Sequence, residues 1–173
     1  LQKIVRVETP RFIEEVVNSV MDLSQKNFGA LIVLLRDTGI KSIIETGIPI
    51  QAQISKPLLM SIFNPRSPLH DGAVIIQGSL ILAAKCQLPL TQNPKLDPTL
   101  GMRHRAALGL TEQTDAIVLV VSEETGMISL AEGGVLTRGL SKESLTKKIK
   151  EAFVVETGKR GTFSNLLNWG EQV

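Results

Sequence analysis

Two unbroken aliphatic runs, Ala30 to Leu35 and Ala116 to Val121, constrain this chain more than any other feature. Neither alternates apolar with polar residues, so neither suits a strand with one face in water. Each must lie in a sheet covered on both sides, which calls for a helical layer on each face. Helical patterns do interleave with these runs. Ile13, Val16, Val17 and Val20 recur at helical spacing and predict an amphipathic helix over Pro10 to Lys26. Thr9 is its expected N-cap, Pro10 its first helical residue, and Asn27-Phe28-Gly29 its end. Ser55-Lys56-Pro57 opens a short helix through Phe63, and Arg103 to Leu110 reads as another. Ser141 caps a last helix with Leu145, Ile149, Ala152 and Phe153 on one face. Ala73 to Ile76 and Leu80 to Cys86 form a hairpin about Gly78-Ser79, and Met127 to Leu130 pairs back on the run at 116–121. Ile40 to Ile54, interrupted by Gly47 and Pro49, stays open between short strands and turns. The expectation is an α/β fold: a central mixed, largely buried β-sheet with helices on both faces.

The chain has 173 residues, and at ~150 residues per domain it reads as one domain over 1–173 with a weakly patterned tail from about Thr157. The net charge is only +2, from 19 Lys and Arg against 17 Asp and Glu. That is too balanced for a protein whose main work is gripping a long phosphate backbone, and no DNA or RNA partner is expected. Aromatics are 3%, with no Tyr, so a surface stacking a row of bases is excluded as well. A small anionic ligand needs only one local cluster. The single Cys86 sits in an apolar stretch and reads as a core residue. No apolar run approaches the ~20 residues of a membrane-spanning helix. The chain opens on Leu1 rather than Met, and the expectation is a piece of a longer protein.

Three polar clusters stand next to expected strands and helices: His70-Asp71-Gly72-Ala73, Arg103-His104-Arg105, and Ser122-Glu123-Glu124-Thr125-Gly126. Singly, each has an ordinary reading. Asp71-Gly72 makes a turn, the arginines decorate a solvated helix face, Ser122 caps a turn, and His70 is a loop histidine. Together they suit one task. A His and an Asp side by side, with a Glu from elsewhere, offer imidazole and oxygen ligands to a divalent metal. Two arginines flanking a histidine offer planar forks to phosphate oxygens, and a serine can donate to phosphate. Gly72 lets a ligand approach the backbone. These are the recurring parts of in-line phosphoryl or nucleotidyl transfer. No phosphate loop, dinucleotide fingerprint, nucleophile elbow or zinc-ligand pair accompanies them.

The pairing of His70-Asp71-Gly72-Ala73 with Arg103-His104-Arg105-Ala106-Ala107 resembles the DGA and RHR motifs of the diadenylate cyclase domain. The resemblance runs from the first helix to the last and includes Gly29-Ala30-Leu31-Ile32-Val33 and Ser122-Glu123-Glu124-Thr125-Gly126. It looks most like the membrane-anchored bacterial type. It implies condensation of two ATP into cyclic di-AMP, one ATP per subunit of a face-to-face homodimer, with Mn²⁺ or Mg²⁺. It also implies an N-terminal anchor in the rest of the parent chain, holding the domain at the cytoplasmic face of the membrane.

Carried over, Asp71 would ligate metal and help activate the 3′-hydroxyl, with His70 and Glu124 as further metal ligands. Arg103 and Arg105 would bind phosphates, with His104 between them. Gly72, Ala73, Ser122 and Glu123 would face the nucleotide, and Leu88 would line the adenine pocket. Two positions depart from the family pattern. Met102 stands where a threonine is common, and Gln87 where the anchored type often has an aromatic residue. A lost hydroxyl–phosphate bond or a lost stack costs on the order of 1–3 kcal/mol each. The expectation is a working enzyme with altered nucleotide affinity. The alternatives are a nucleotide-binding regulatory module that has lost turnover, and a metal-dependent phosphohydrolase using water.

Overall fold

The computed structural model describes residues 9–154, so the tail from Thr157 lies outside the described residues. Helix α1 (Arg11–Gln25) leads into β1 (Ala30–Leu34), then α2 (Lys41–Ile44), β2 (Ile48–Gln53) and α3 (Lys56–Phe63). The hairpin β3 (Ala73–Gln77) and β4 (Leu80–Cys86) follows, then α4 (Met102–Gln113). Strands β5 (Ile117–Val121), β6 (Ile128–Glu132) and β7 (Val135–Arg138) precede α5 (Lys142–Val154). The seven strands lie in the order β2-β4-β3-β1-β5-β6-β7. Only β1 and β3 run parallel; every other neighbouring pair is antiparallel.

The two aliphatic runs became the centre of this sheet, and their lack of alternation has a direct cause. Successive side chains leave a strand on opposite faces. Ile32 and Leu34 enter one core with Val16 and Val20 of α1, Leu59 and Phe63 of α3, and Leu145 and Ile149 of α5. Leu31 and Val33 enter a second core with Ala107 and Leu110 of α4 and Ile40 before α2. Both faces are dry, so both sets must be apolar. Each fully buried Leu or Ile contributes about 1.5–3 kcal/mol over leaving it in water.

Several boundaries follow from local chemistry. Ser55 Oγ accepts from the Leu58 amide at 3.2 Å, capping α3 as its sequence predicts. Ser141 Oγ accepts from the Ser144 amide at 3.2 Å, while Ser144 Oγ accepts from the Ser141 amide at 2.8 Å. At α1 the sequence expectation is one position early: Pro10 occupies the N-cap with extended ψ, and Thr9 lies outside the helix. The ambiguous stretch after Ile40 resolves into a one-turn helix and an edge strand interrupted near Pro49. Strand β7, which sequence analysis did not assign, closes a hairpin through Gly133 (φ 57°) and Gly134 (φ 77°), the backbone that a two-residue turn needs. Helix α4 rests on the Pro89–Leu90 chain, and a side chain at Gly109 would collide with the Pro89 carbonyl.

Candidate functional site

Strand direction decides which polar clusters can meet. Ile32 pairs with Val74 in the parallel ladder, so the chain entering β1 lies beside the chain entering β3. Ala30 pairs with Val121 and Ala73 with Cys86, so the exits of β5 and β4 lie at that same end. Gly29, His70-Asp71-Gly72, Gln87-Leu88 and Ser122-Glu123-Glu124 therefore share one end of the sheet. The first turn of α4 arrives there too. Arg103 lays its guanidinium against Gly29, and its Nη1 lies 3.6 Å from Glu123 Oε2.

Gly72 has φ 129°, and a Cβ there would stand 2.7 Å from the Lys85 carbonyl carbon and 2.8 Å from its Cα. Backbone conformation and space both demand glycine, as the motif suggests. Lys85 opposite it is left-handed at φ 57°, where the β3–β4 register shifts. Ala73 is buried as the first residue of β3, so only its backbone is available to a ligand.

The two arginines of the second motif have different surroundings. The Arg103 side chain is 23% exposed, and Glu123, its one ion-pair partner among the described residues, is itself largely in solvent. Arg105 differs from expectation. Its Nε donates to the Leu100 carbonyl at 3.0 Å and its Nη2 to the Asp97 carbonyl at 3.2 Å. Its own carbonyl accepts from the Thr91 amide at 3.0 Å. Arg105 thus clamps the 91–100 loop, whose two prolines leave fewer backbone donors to hold it. His104 between them is buried, and neither ring nitrogen has a hydrogen-bond partner among the described residues. Burial first, then the positive charges of Arg138 and Arg103, hold its pKa below the ordinary 6.5, so the ring is neutral at pH 7.

His70 Nδ1 lies 2.7 Å from the Ser67 carbonyl, which can only accept. Nδ1 therefore carries a proton, which leaves Nε2 as the ring nitrogen that could ligate a metal. Asp71 is exposed and belongs to none of the ion pairs among the described residues. The expected set of His70, Asp71 and Glu124 does not assemble: among the described residues no three His, Cys, Asp or Glu side chains converge as a metal cage. Strand order explains it. Strand β1 lies between β3 and β5, which puts their backbones roughly 10 Å apart. The Glu124 carbonyl is also drawn toward α1 by the Asn27 side-chain amide at 3.4 Å. What remains, an imidazole nitrogen and an adjacent carboxylate, is a donor pair that suits a hard divalent cation with its other positions open.

Ser122 Oγ accepts from the Thr125 amide at 3.3 Å, so the turn role and a free hydroxyl proton coexist. Gln87 is exposed, its backbone N–H donating to Thr46 Oγ1 at 2.9 Å, and Leu88 is half-buried against the α4 core. Met102 is 65% exposed at the start of α4. Cys86 is buried, and burial pushes its thiol up to about 11, which makes it the inert core residue expected. Sequence analysis missed two contributors at this end. Gly29 was read as the end of a helix and as part of the Gly29-to-Val33 stretch resembling the family, but with no role at the site, although a glycine directly before a buried strand is a signal of close approach. Arg138, on an unassigned strand, adds charge beside His104.

Residues 17–136 match the family model described as "DisA bacterial checkpoint controller nucleotide-binding". A Listeria monocytogenes protein named diadenylate cyclase is 50% identical over 153 residues, covering 88% of this chain and 56% of that protein. The cyclic di-AMP synthase CdaA of Bacillus subtilis is 45% identical over 157 residues, covering 91% and 57%. The crystal structure of DacA from Staphylococcus aureus superposes with a TM-score of 0.80 at 45% identity, covering 83% of this chain and 95% of that one. A Bacillus cereus structure described as a hypothetical membrane spanning protein gives 0.72 at 45% identity, covering 74% and 63%. The chain spans a little over half the length of the curated relatives it matches first. Among the described residues no helix is long and apolar enough to cross a membrane.

Proposed function

The chain belongs to the DisA bacterial checkpoint controller nucleotide-binding family, and on that premise we propose that it is the catalytic domain of a diadenylate cyclase. The reaction joins two ATP. The 3′-hydroxyl oxygen of one attacks the α-phosphorus of the other. A P–O ester bond forms, the bond from that phosphorus to the bridging oxygen breaks, pyrophosphate leaves and the hydroxyl proton is released. A second such step closes the ring of cyclic di-AMP. The two nucleotides must face each other, so each is held by one subunit of a homodimer, and activity depends on assembly.

The observation that carries this reading is the meeting of Asp71-Gly72, Arg103 and Ser122-Glu123 at one end of the sheet. In this reading Asp71 ligates the metal and helps activate the 3′-hydroxyl, taking up its proton. The backbone at Gly72 and Ala73 lies against the nucleotide. Arg103 presents its fork to the phosphates, steadied by Glu123, and the Ser122 hydroxyl donates to a phosphate oxygen. Buried His104 stays neutral between the two arginines, and Arg105 fixes the 91–100 loop. Leu88, Gln87 and Met102 border the base. His70 Nε2 and Asp71 would hold the divalent cation, with Glu124 approaching from across the bound triphosphate. When bound, Mn²⁺ or Mg²⁺ neutralises phosphate charge and makes the hydroxyl more acidic. The likeness to the Bacillus cereus membrane spanning protein supports an anchored parent, with this domain at the cytoplasmic face of the membrane.

Incubating the purified chain with ATP and Mn²⁺ and separating the products by chromatography tests the proposal. The expected products are cyclic di-AMP and two equivalents of pyrophosphate, with turnover per protomer rising with protein concentration. ATP binding without product would mean a regulatory module, the reading that Met102 and Gln87 favour. ADP, AMP or phosphate alone would mean a phosphohydrolase. Either result overturns the cyclase.

A further inference from the structure

We infer that Gly29 is a positioning residue of the phosphate site: the space of its missing side chain is the seat of the Arg103 guanidinium. The inference rests on the phosphate-binding role proposed for Arg103.

A Cβ built on Gly29 would lie 2.5 Å from Arg103 Cζ, 2.6 Å from Nη1 and 2.7 Å from Nη2. Three nearly equal distances mean that the guanidinium lies flat over that point, face toward the Gly29 backbone. Backbone conformation does not explain the glycine. The left-handed residue at the exit from α1 is Asn27, at φ 52°, and Gly29 is not among the positive-φ glycines. The Phe28 amide donates to the Leu23 carbonyl at 3.0 Å, and Ala30 pairs with Val121, so the chain on either side of Gly29 is held. Any L side chain could adopt this backbone, but it would displace the arginine.

The consequence is chemical. A guanidinium flat on a fixed backbone, with Glu123 near one nitrogen, keeps its other N–H groups in one plane for a phosphate. Among the described residues the Arg103 side chain makes no hydrogen bond to hold that plane, whereas Arg105 makes two. Gly29 does for Arg103, by contact, what two carbonyls do for Arg105.

The test is a double-substitution cycle on the 173-residue chain, reading Mn²⁺–ATP affinity by calorimetry, KM and kcat for product, and thermal unfolding. Gly29→Ala should weaken ATP binding about tenfold or more, the scale of freeing one long side chain and misdirecting its fork. In an Arg103→Ala background the same change should add less than about twofold, because the two act through one group. Effects that multiply, or a Gly29→Ala protein that binds ATP like wild type, would overturn the inference. If Gly29→Ala does not fold, Gly29→Ala/Arg103→Ala should; a double variant as unstable as the single one overturns it too. A wild-type chain that binds ATP without making a cyclic dinucleotide refutes the cyclase reading and leaves this cycle readable in affinity. A wild-type chain that binds no ATP refutes both.

Discussion

The two ends of the sheet use the same residue types to opposite effect. At the far end, Arg36 donates from Nε to the Asp115 carbonyl at 2.5 Å, from Nη1 to the Ala152 carbonyl at 2.9 Å and from Nη2 to Glu132 at 3.1 Å. The Asp115 carboxylate accepts from the Asp37 and Thr38 amides, both at 3.0 Å. Burial alone would raise that carboxyl; the two amides, the Thr38 side chain and Arg36 outweigh it and hold it below the ordinary value. At the near end, Arg103 has one ion pair at 3.6 Å, His104 has no partner among the described residues, and Asp71 stands in solvent. A buried polar group without a partner costs about 1–3 kcal/mol. A fold that saturates one end and leaves the other incomplete is stabilised at the first and available for chemistry at the second.

The sharpest way to break this contrast is Asp71→Asn. The exchange is nearly isosteric and the side chain is exposed, so the melting temperature should stay within a degree or two. Cyclic di-AMP formation should fall by about 10³-fold or more, as expected when the group receiving the proton is lost. A variant that turns over ATP normally would remove Asp71 from the mechanism.

The next test sets one arginine against the other. Arg36→Ala should destabilise the domain by about 2–4 kcal/mol in denaturant titration, because two carbonyls and a carboxylate lose their donor together. Its kcat at a temperature where it remains folded should change less than about threefold. Arg103→Ala should reverse the pattern: little change in unfolding, and a loss of about 10²-fold in kcat/KM. If both substitutions act on stability alone, the near end is structural as well.

Sequence carried the layers of this fold well and the contacts between them poorly. The unbroken runs at 30–35 and 116–121 required two helical faces, and both exist. Motif residues were placed at strand and helix ends by local pattern, and the ladders brought those ends together. Strand β7 escaped notice because an exposed edge strand such as Val135–Arg138 carries no buried face to print a period on the sequence. Arg105 could not be told from Arg103, since its partners are backbone carbonyls of a loop, which have no sequence identity. The distance between His70-Asp71 and Glu124 has a related reason: that β1 separates β3 from β5 is a fact of strand order, which no local pattern encodes.

The smallest effect expected is on pH dependence, and it distinguishes the two ends through histidine. The His104 pKa is held below 6.5 in the folded state by burial and by Arg138 and Arg103. The unfolded chain therefore binds this proton first as pH falls. Its contribution to stability is complete above about pH 6.5 and declines below it until the folded-state ring protonates as well. Asp115 works lower on the scale: its contribution is present above the ordinary aspartate value of 3.8 and is lost as pH falls through the depressed folded value. Unfolding free energies measured from pH 7.5 to 5 should then slope downward in the wild type. His104→Gln, which keeps a polar side chain of similar length and cannot titrate, should flatten that limb while leaving the loss near pH 3 intact. Asp115→Asn should do the reverse, preserving the slope at pH 5–6.5 and flattening the acid limb. If His104→Gln retains the full slope above pH 5, His104 binds protons equally in the folded and unfolded chain, and the slope belongs to another group.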